Sequence, residues 1–264
     1  MQEMWSWAAG KPIAGSFLSD RSRVEAYHGH FREAHRLTEQ AIELDSKSDA
    51  RALSQRLLVE ALPEAEVGNS AQAQRAAAKA LAIAPDRNTR LVVALSFARA
   101  GDVGEAQKLA DAVSQDAPLN TVVQNYCLPT IRAAMKLDKN DPAAAVEILR
   151  PTVKYDLAYP ASFNGLYPAY IRGLAYLHMG EGRLAAAEFQ KLLDHPGIVG
   201  RDVTGALSHL QLARAQKMMG DQSAARKSYE DFLTLWKDAD SDIPIYRQAK
   251  AEYARLRSSS NRAD

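Results

Sequence analysis

The sequence predicts an all-α fold: a right-handed helical solenoid of about six helix–turn–helix repeats with a C-terminal capping helix. Three observations predict it. Between Tyr167 and Trp236 a step pattern occurs twice, with Gly173, Gly180, Ala185, Phe189 and Leu192 at spacings of 7, 5, 4 and 3, and Ala213, Gly220, Ala225, Tyr229 and Phe232 at the same spacings. The 5-4-3 part of that pattern recurs upstream after Gly29, Gly68, Gly101 and Asn140. Near the end, Ile245, Ala249, Tyr253 and Leu256 follow at 4, 4 and 3, a single apolar stripe.

Each element has a local reason. A small residue deep in the first helix, a turn residue and a small residue early in the second let two helices approach closely. Larger residues further along then fill the gap to the next pair. The first repeat carries Ala34, Thr38 and Ala41, with Phe31 and Leu37 on the packed face, and the second carries Ala73, Ala77 and Ala80, ended by Pro85. The third carries Ala106, Ala110 and Val113, ended by Pro118, and the fourth Ala145, Leu149 and Thr152. In the fourth, Asn140 stands where the others have Gly, and Asn also tolerates the left-handed conformation of a helix C-cap. Asp141-Pro142 then reads as an N-cap followed by a Pro at the first helical position.

Residues 16–152 thus hold repeats 1–4, and residues 169–236 hold repeats 5 and 6. Between them, 153–168 reads as a long aromatic connection with Tyr155, Tyr159, Phe163 and Tyr167. Residues 243–257 form the cap, whose opposite face carries Arg247, Lys250, Glu252 and Arg255. Residues 1–15, with Trp5 and Trp7, read as the end of a missing upstream repeat or as a tail folded back on the first one. Residues 258–264 read as a disordered tail.

Composition narrows the function. Thirty-three Lys and Arg stand against thirty-two Asp and Glu, without a basic stripe, so nucleic acid is not an expected partner. The single Cys127 excludes an internal disulfide framework. No apolar run approaches the roughly 20 residues of a spanning helix, so direct membrane insertion is not expected.

The chemistry-bearing motifs reduce to structural ones. Gly180-Glu181-Gly182-Arg183-Leu184-Ala185 matches a dinucleotide glycine pattern, but a helix rather than a strand precedes it. His28, His30 and His35 cluster at spacings that do not place two imidazoles on one helical face. There is no nucleophile elbow, no phosphate loop and no kinase signature. The expectation is no catalytic site, no cofactor and no metal, and hence no enzyme.

What remains is surface. In a superhelix of helix pairs the first helices line the concave side, where a protein or peptide can lie. Leu91, Leu95, Leu174 and Leu210 are placed there, and the candidates for partner contact are Tyr126, Tyr167, Tyr170, Arg172 and Arg214, because Tyr and Arg are enriched at binding hot spots. A small ligand among the aromatic residues from Tyr155 to Tyr176 is a second reading, and self-association a third.

The step pattern resembles the tetratricopeptide (TPR) repeat, whose usual period is about 34 residues. Turn-to-turn spacings here are 39, 33, 39, 40 and 40, so several repeats are lengthened. A narrower resemblance rests on Tyr167-Pro168-Ala169-Tyr170-Ile171-Arg172-Gly173, Ala175-Tyr176-Leu177, Glu188-Phe189-Gln190-Lys191 and Asp194-His195. It continues through Asp231-Phe232-Leu233-Thr234-Leu235-Trp236-Lys237-Asp238-Ala239-Asp240, Asp242-Ile243-Pro244 and Ala249-Lys250-Ala251-Glu252-Tyr253. Upstream, Trp7-Ala8-Ala9-Gly10-Lys11-Pro12 and Leu128-Pro129-Thr130-Ile131-Arg132-Ala133 look similar to the same region. These segments resemble the C-terminal repeat region of acidobacterial-type bacterial serine/threonine protein kinases, and similar regions adjoin transcription regulators. The resemblance implies a regulatory or docking half without the catalytic part. It also implies a cytoplasmic chain as given, or an extracytoplasmic one within a membrane-anchored kinase.

Overall fold

The computed structural model describes residue 11 and residues 13–44, 50–158 and 166–260. Trp5, Trp7, residues 159–165 of the aromatic connection and residues 261–264 lie outside them. The described residues form α-helices in antiparallel pairs, with no strand among them. The pairs are α1 (Ala14–Tyr27) with α2 (Phe31–Leu44), α3 (Ala50–Glu66) with α4 (Ser70–Ile83), and α5 (Arg87–Arg99) with α6 (Val103–Asp116). They continue as α7 (Leu128–Asp138) with α8 (Pro142–Leu149), and α9 (Tyr167–His178) with α10 (Gly182–Asp194). A short turn, α11 (Pro196–Val199), leads to the last pair, α12 (Val203–Met218) with α13 (Gln222–Leu235), and α14 (Pro244–Ser260) follows.

One turn is built six times. At Gly29, Gly68, Gly101, Asn140, Gly180 and Gly220 the chain takes a positive φ between 56° and 91°. The next N–H then reaches back five residues to a helix carbonyl: His30 to Glu25, Asn69 to Glu64, Asp102 to Phe97, Asp141 to Lys136, Glu181 to Tyr176 and Asp221 to Gln216, all at 2.9–3.0 Å. This is the Schellman closure of a helix end. Asp102, Asp141 and Asp221 then cap the following helices through the N–H groups of Glu105, Ala144 and Ala224. The 5-4-3 positions are all buried, from Ala34, Thr38 and Ala41 to Ala225, Tyr229 and Phe232. At Gly173 a Cβ would lie 2.7 Å from the Phe189 ring, so this small residue sets how closely α9 and α10 approach.

The connection between repeats 4 and 5 is shorter than the sequence suggests. Arg150–Tyr155 is a 3-10 helix continuing from α8, and α9 already begins at Tyr167. Pro168 does not delay it, because the first turn of a helix has no use for that N–H. The segment His195–Gly200 contains a short helical turn, Pro196–Val199.

The array curls until its C-terminal end seats on its first two turns. The Trp236 indole N–H donates to the Tyr27 carbonyl oxygen at 2.9 Å. Its ring is fully buried among Phe31, Phe232 and Tyr246. Asp240 N–H donates to the Gly29 oxygen at 3.0 Å, and Arg32 N–H donates to the Asp240 carboxylate at 2.9 Å. One repeat further on, Ile245 N–H donates to the Val67 oxygen at 3.2 Å. Inside the curl, α12 packs on both α1 and α3. The solenoid is therefore closed by its own C-terminal segment.

Candidate functional site

The inner positions singled out from the sequence are occupied by the chain's own contacts. Tyr126, Tyr167, Tyr170 and Arg172 are at most 3% exposed, as are Leu91, Leu95 and Leu210. Leu174 and Arg214 are half-buried. Tyr126 sits in a π-helical turn, Val123–Cys127, with its ring edge-on to Tyr155.

Three of the five candidates lie in two hydrogen-bonded groups that couple electrostatically, Tyr167 on Glu66 and Tyr170 with Arg214 on Gln211. The Tyr167 hydroxyl donates to Glu66, which also accepts two bonds from Arg99. Tyr170 is hydrogen-bonded to Gln211. Arg214 donates to Gln211 at 3.2 Å and, through two bonds of 2.9 and 2.8 Å, to Glu252, which accepts from Tyr229 as well. Burial raises Tyr167 and Tyr170 well above the ordinary tyrosine range, so both stay neutral. Burial works against the Arg99 charge, but adjacent Glu66 outweighs it and keeps the guanidinium protonated. Burial likewise pushes Glu252 up, and Arg214 more than reverses this.

Arg172 lies in a separate cluster. It donates to Asp156 at 2.7 Å, to Glu188 at 2.9 and 2.7 Å, and to Thr152 at 3.3 Å, while Lys191 reaches both carboxylates. The cluster ties the 3-10 turn to α9 and α10. Tyr155, Asp156, Tyr167, Tyr170 and Arg172 thus serve as packing and anchoring groups.

The sequence reading missed Glu60, Glu64 and Glu66, all buried on α3. The signal was present: three carboxylates embedded in the apolar run Leu57-Leu58-Val59-Glu60-Ala61-Leu62-Pro63-Glu64-Ala65-Glu66. Such groups stay buried only when partnered. Glu60 accepts from Gln72 and pairs with His35, and Glu64 accepts from Asn69 at 2.7 Å. Burial lifts Glu64 to about 7, and nearby Glu60 and Asp240 push the same way against Asn69 and His35. His30, near the same seam, lies 2.8 Å from Glu25, so each of these two histidines has a carboxylate beside it.

Two surface features remain. A cleft of about 570 Å³ opens between α1, α3, the start of α5 and the 197–203 segment. At the turn edge of repeats 5 and 6, Met179, Leu184, Met218 and Met219 are 42–49% exposed. No helix among the described residues is long and apolar enough to cross a membrane.

No family model and no curated protein matches the sequence. Among solved structures the chain is similar to the crystal structure of yeast Tom70, a TPR-containing helical protein, at TM-score 0.50 and 15% identity. The fold is a TPR-like helical solenoid. The similarity covers 87% of this chain and 44% of that one, so the chain spans less than half the length of its structural neighbour.

Proposed function

We propose that this chain is a non-catalytic TPR-like scaffold that binds a protein or peptide partner. We further propose that it serves as the regulatory or docking region of a bacterial signalling protein related to serine/threonine kinases. The observation carrying the first part is the division of its surface. The inner Tyr and Arg residues hold the array together, whereas the turn edge leaves Met179, Leu184, Met218 and Met219 to solvent. Methionine adapts its shape to varied apolar partners, and grouped exposed apolar residues mark interaction surfaces. The partner is a segment of another protein that offers apolar side chains to this edge. Docking on the inner face, the expectation from sequence, requires the seam at Trp236 to open first. The kinase relation rests on the residues around Trp236, which here form that seam. Made by itself, the chain acts in the cytoplasm.

The test is affinity capture with wild type beside a Met179→Lys, Met218→Lys, Met219→Lys variant, whose changes sit on the exposed edge. A partner held by wild type and lost by the variant, then cross-linked to a photoreactive residue at position 218, supports the reading. Equal capture by both proteins overturns docking at this edge. A dimer of wild type that the variant cannot form assigns the edge to self-association instead.

A further inference from the structure

We infer that the cleft between α1, α3 and the 197–203 segment binds a small organic anion, a carboxylate carried on an apolar body. This goes beyond the scaffold reading and uses a different part of the surface. Its volume of about 570 Å³ lies within the range of small-molecule sites, roughly 300–1,000 Å³. An extended peptide could not thread past it, because α1 and α12 pack together there, with the Tyr27 ring against Gly205.

The lining is divided as such a ligand requires. Leu58, Leu62 and Val92 supply apolar surface, while Arg56 and Arg201 supply positive charge and Arg23 is balanced by Asp20. The two carboxylates of the cleft already have partners. Asp20 pairs with Arg23 at 3.2 Å, and Asp202 caps α12, accepting from the N–H and hydroxyl of Thr204 at 2.9 and 2.6 Å. Arg56 is steadied by the Ser16 hydroxyl at 3.0 Å. Arg201 is exposed and has no ion pair among the described residues.

A second, independent observation is Ser19. It lines the cleft, is 3% exposed, and its hydroxyl has no hydrogen-bond partner among the described residues. Ser22, a turn later on the same helix, is fully engaged with the Ala34 oxygen and the Thr38 hydroxyl at 2.9 and 3.0 Å. Burying a hydroxyl without a partner is unfavourable, and a ligand oxygen entering the cleft provides one.

Titration calorimetry on the full chain tests this with naphthalene-1-acetate and octanoate as probes, against the neutral naphthalene-1-acetamide and octan-1-ol. Saturable binding of at least one carboxylate, tighter than its neutral counterpart, is expected. Arg201→Gln should weaken it roughly tenfold, as loss of a charge-assisted hydrogen bond does. Ser19→Ala should weaken it too, while leaving the melting temperature of the unliganded protein unchanged or raised. The inference is overturned if neither carboxylate binds saturably, if the neutral analogues bind as well, or if both variants bind like wild type. Because neither variant touches the methionine edge, failure here leaves the scaffold reading separately testable.

Discussion

The Trp236 indole N–H and the Tyr27 carbonyl oxygen are joined by a hydrogen bond of 2.9 Å across 209 residues of chain. That bond lies in the seam where the end of the array meets its start. Trp236→Ala removes both the bond and a fully buried ring, and should cost about 3–5 kcal/mol. Trp236→Phe keeps most of the ring and strands the Tyr27 oxygen, for about 1–3 kcal/mol. Urea unfolding of the three proteins gives the ordering, and a Trp236→Ala variant as stable as wild type would show that the seam contributes nothing.

Turn glycines should differ in their tolerance of a side chain. At Gly29, φ is +82° and a Cβ would stand 2.5 Å from the Ala239 Cβ and 2.9 Å from the Trp236 ring. At Gly220, φ is also +82° but nothing lies within 4 Å. Gly220→Ala should therefore cost only the conformational strain, about 1–2 kcal/mol, whereas Gly29→Ala adds a clash and should cost clearly more. Equal melting temperatures for the two variants would contradict the close fit at Gly29.

Glu64 predicts a pH dependence with a definite sign. Its folded pKa of about 7 lies above the ordinary value of 4.5, so the folded chain holds a proton that the unfolded chain releases. The favourable contribution is complete below about pH 4.5, falls as pH rises, and is lost above about 7. Glu64→Gln should flatten that part of the stability profile. It should also stabilise the protein at alkaline pH by up to about 3 kcal/mol. An unchanged profile between pH 5 and 8, measured as denaturation midpoints on a roughly three-unit span, would refute the assignment.

Arg172 holds two carboxylates that are almost entirely buried with it. Arg172→Met should cost up to about 3–5 kcal/mol, because Asp156 and Glu188 lose their buried cation and keep only the partly exposed Lys191. Adding Asp156→Asn and Glu188→Gln should recover much of the loss. If the triple variant were no more stable than Arg172→Met alone, shape rather than charge would be the function of Arg172.

The repeating part of this fold was legible because its causes are local. Gly29 or Asn140, the bond back over five residues and the buried positions after each turn all fall within about 15 residues of one another, a distance over which helical periodicity speaks. The assignment of Tyr126, Tyr167, Tyr170 and Arg172 to an open groove used the same rule but needed one more fact, the extent of curling. Nothing near Tyr170 in sequence announces Gln211, and nothing near Glu66 announces Tyr167. The cleft was invisible for the same reason, since Ser19, Arg56 and Arg201 are scattered over almost the whole chain. Only Glu60, Glu64 and Glu66 gave a local warning, as charges placed where an apolar helix face was expected.

Closure also sets an order of events in time. An open repeat array can form its first helix pairs as they leave the ribosome and add the rest one by one. Here Gly29 and Tyr27 wait for Trp236 and Asp240, and Val67 waits for Ile245. The first two repeats are thus made early but completed late, with the apolar surface around Phe31 uncovered throughout elongation. Contacts so distant in sequence also slow refolding. The newly made chain therefore has a long interval in which its first two repeats are available to chaperones or to wrong partners, an interval that ends only when the segment from Trp236 to Ile245 has emerged.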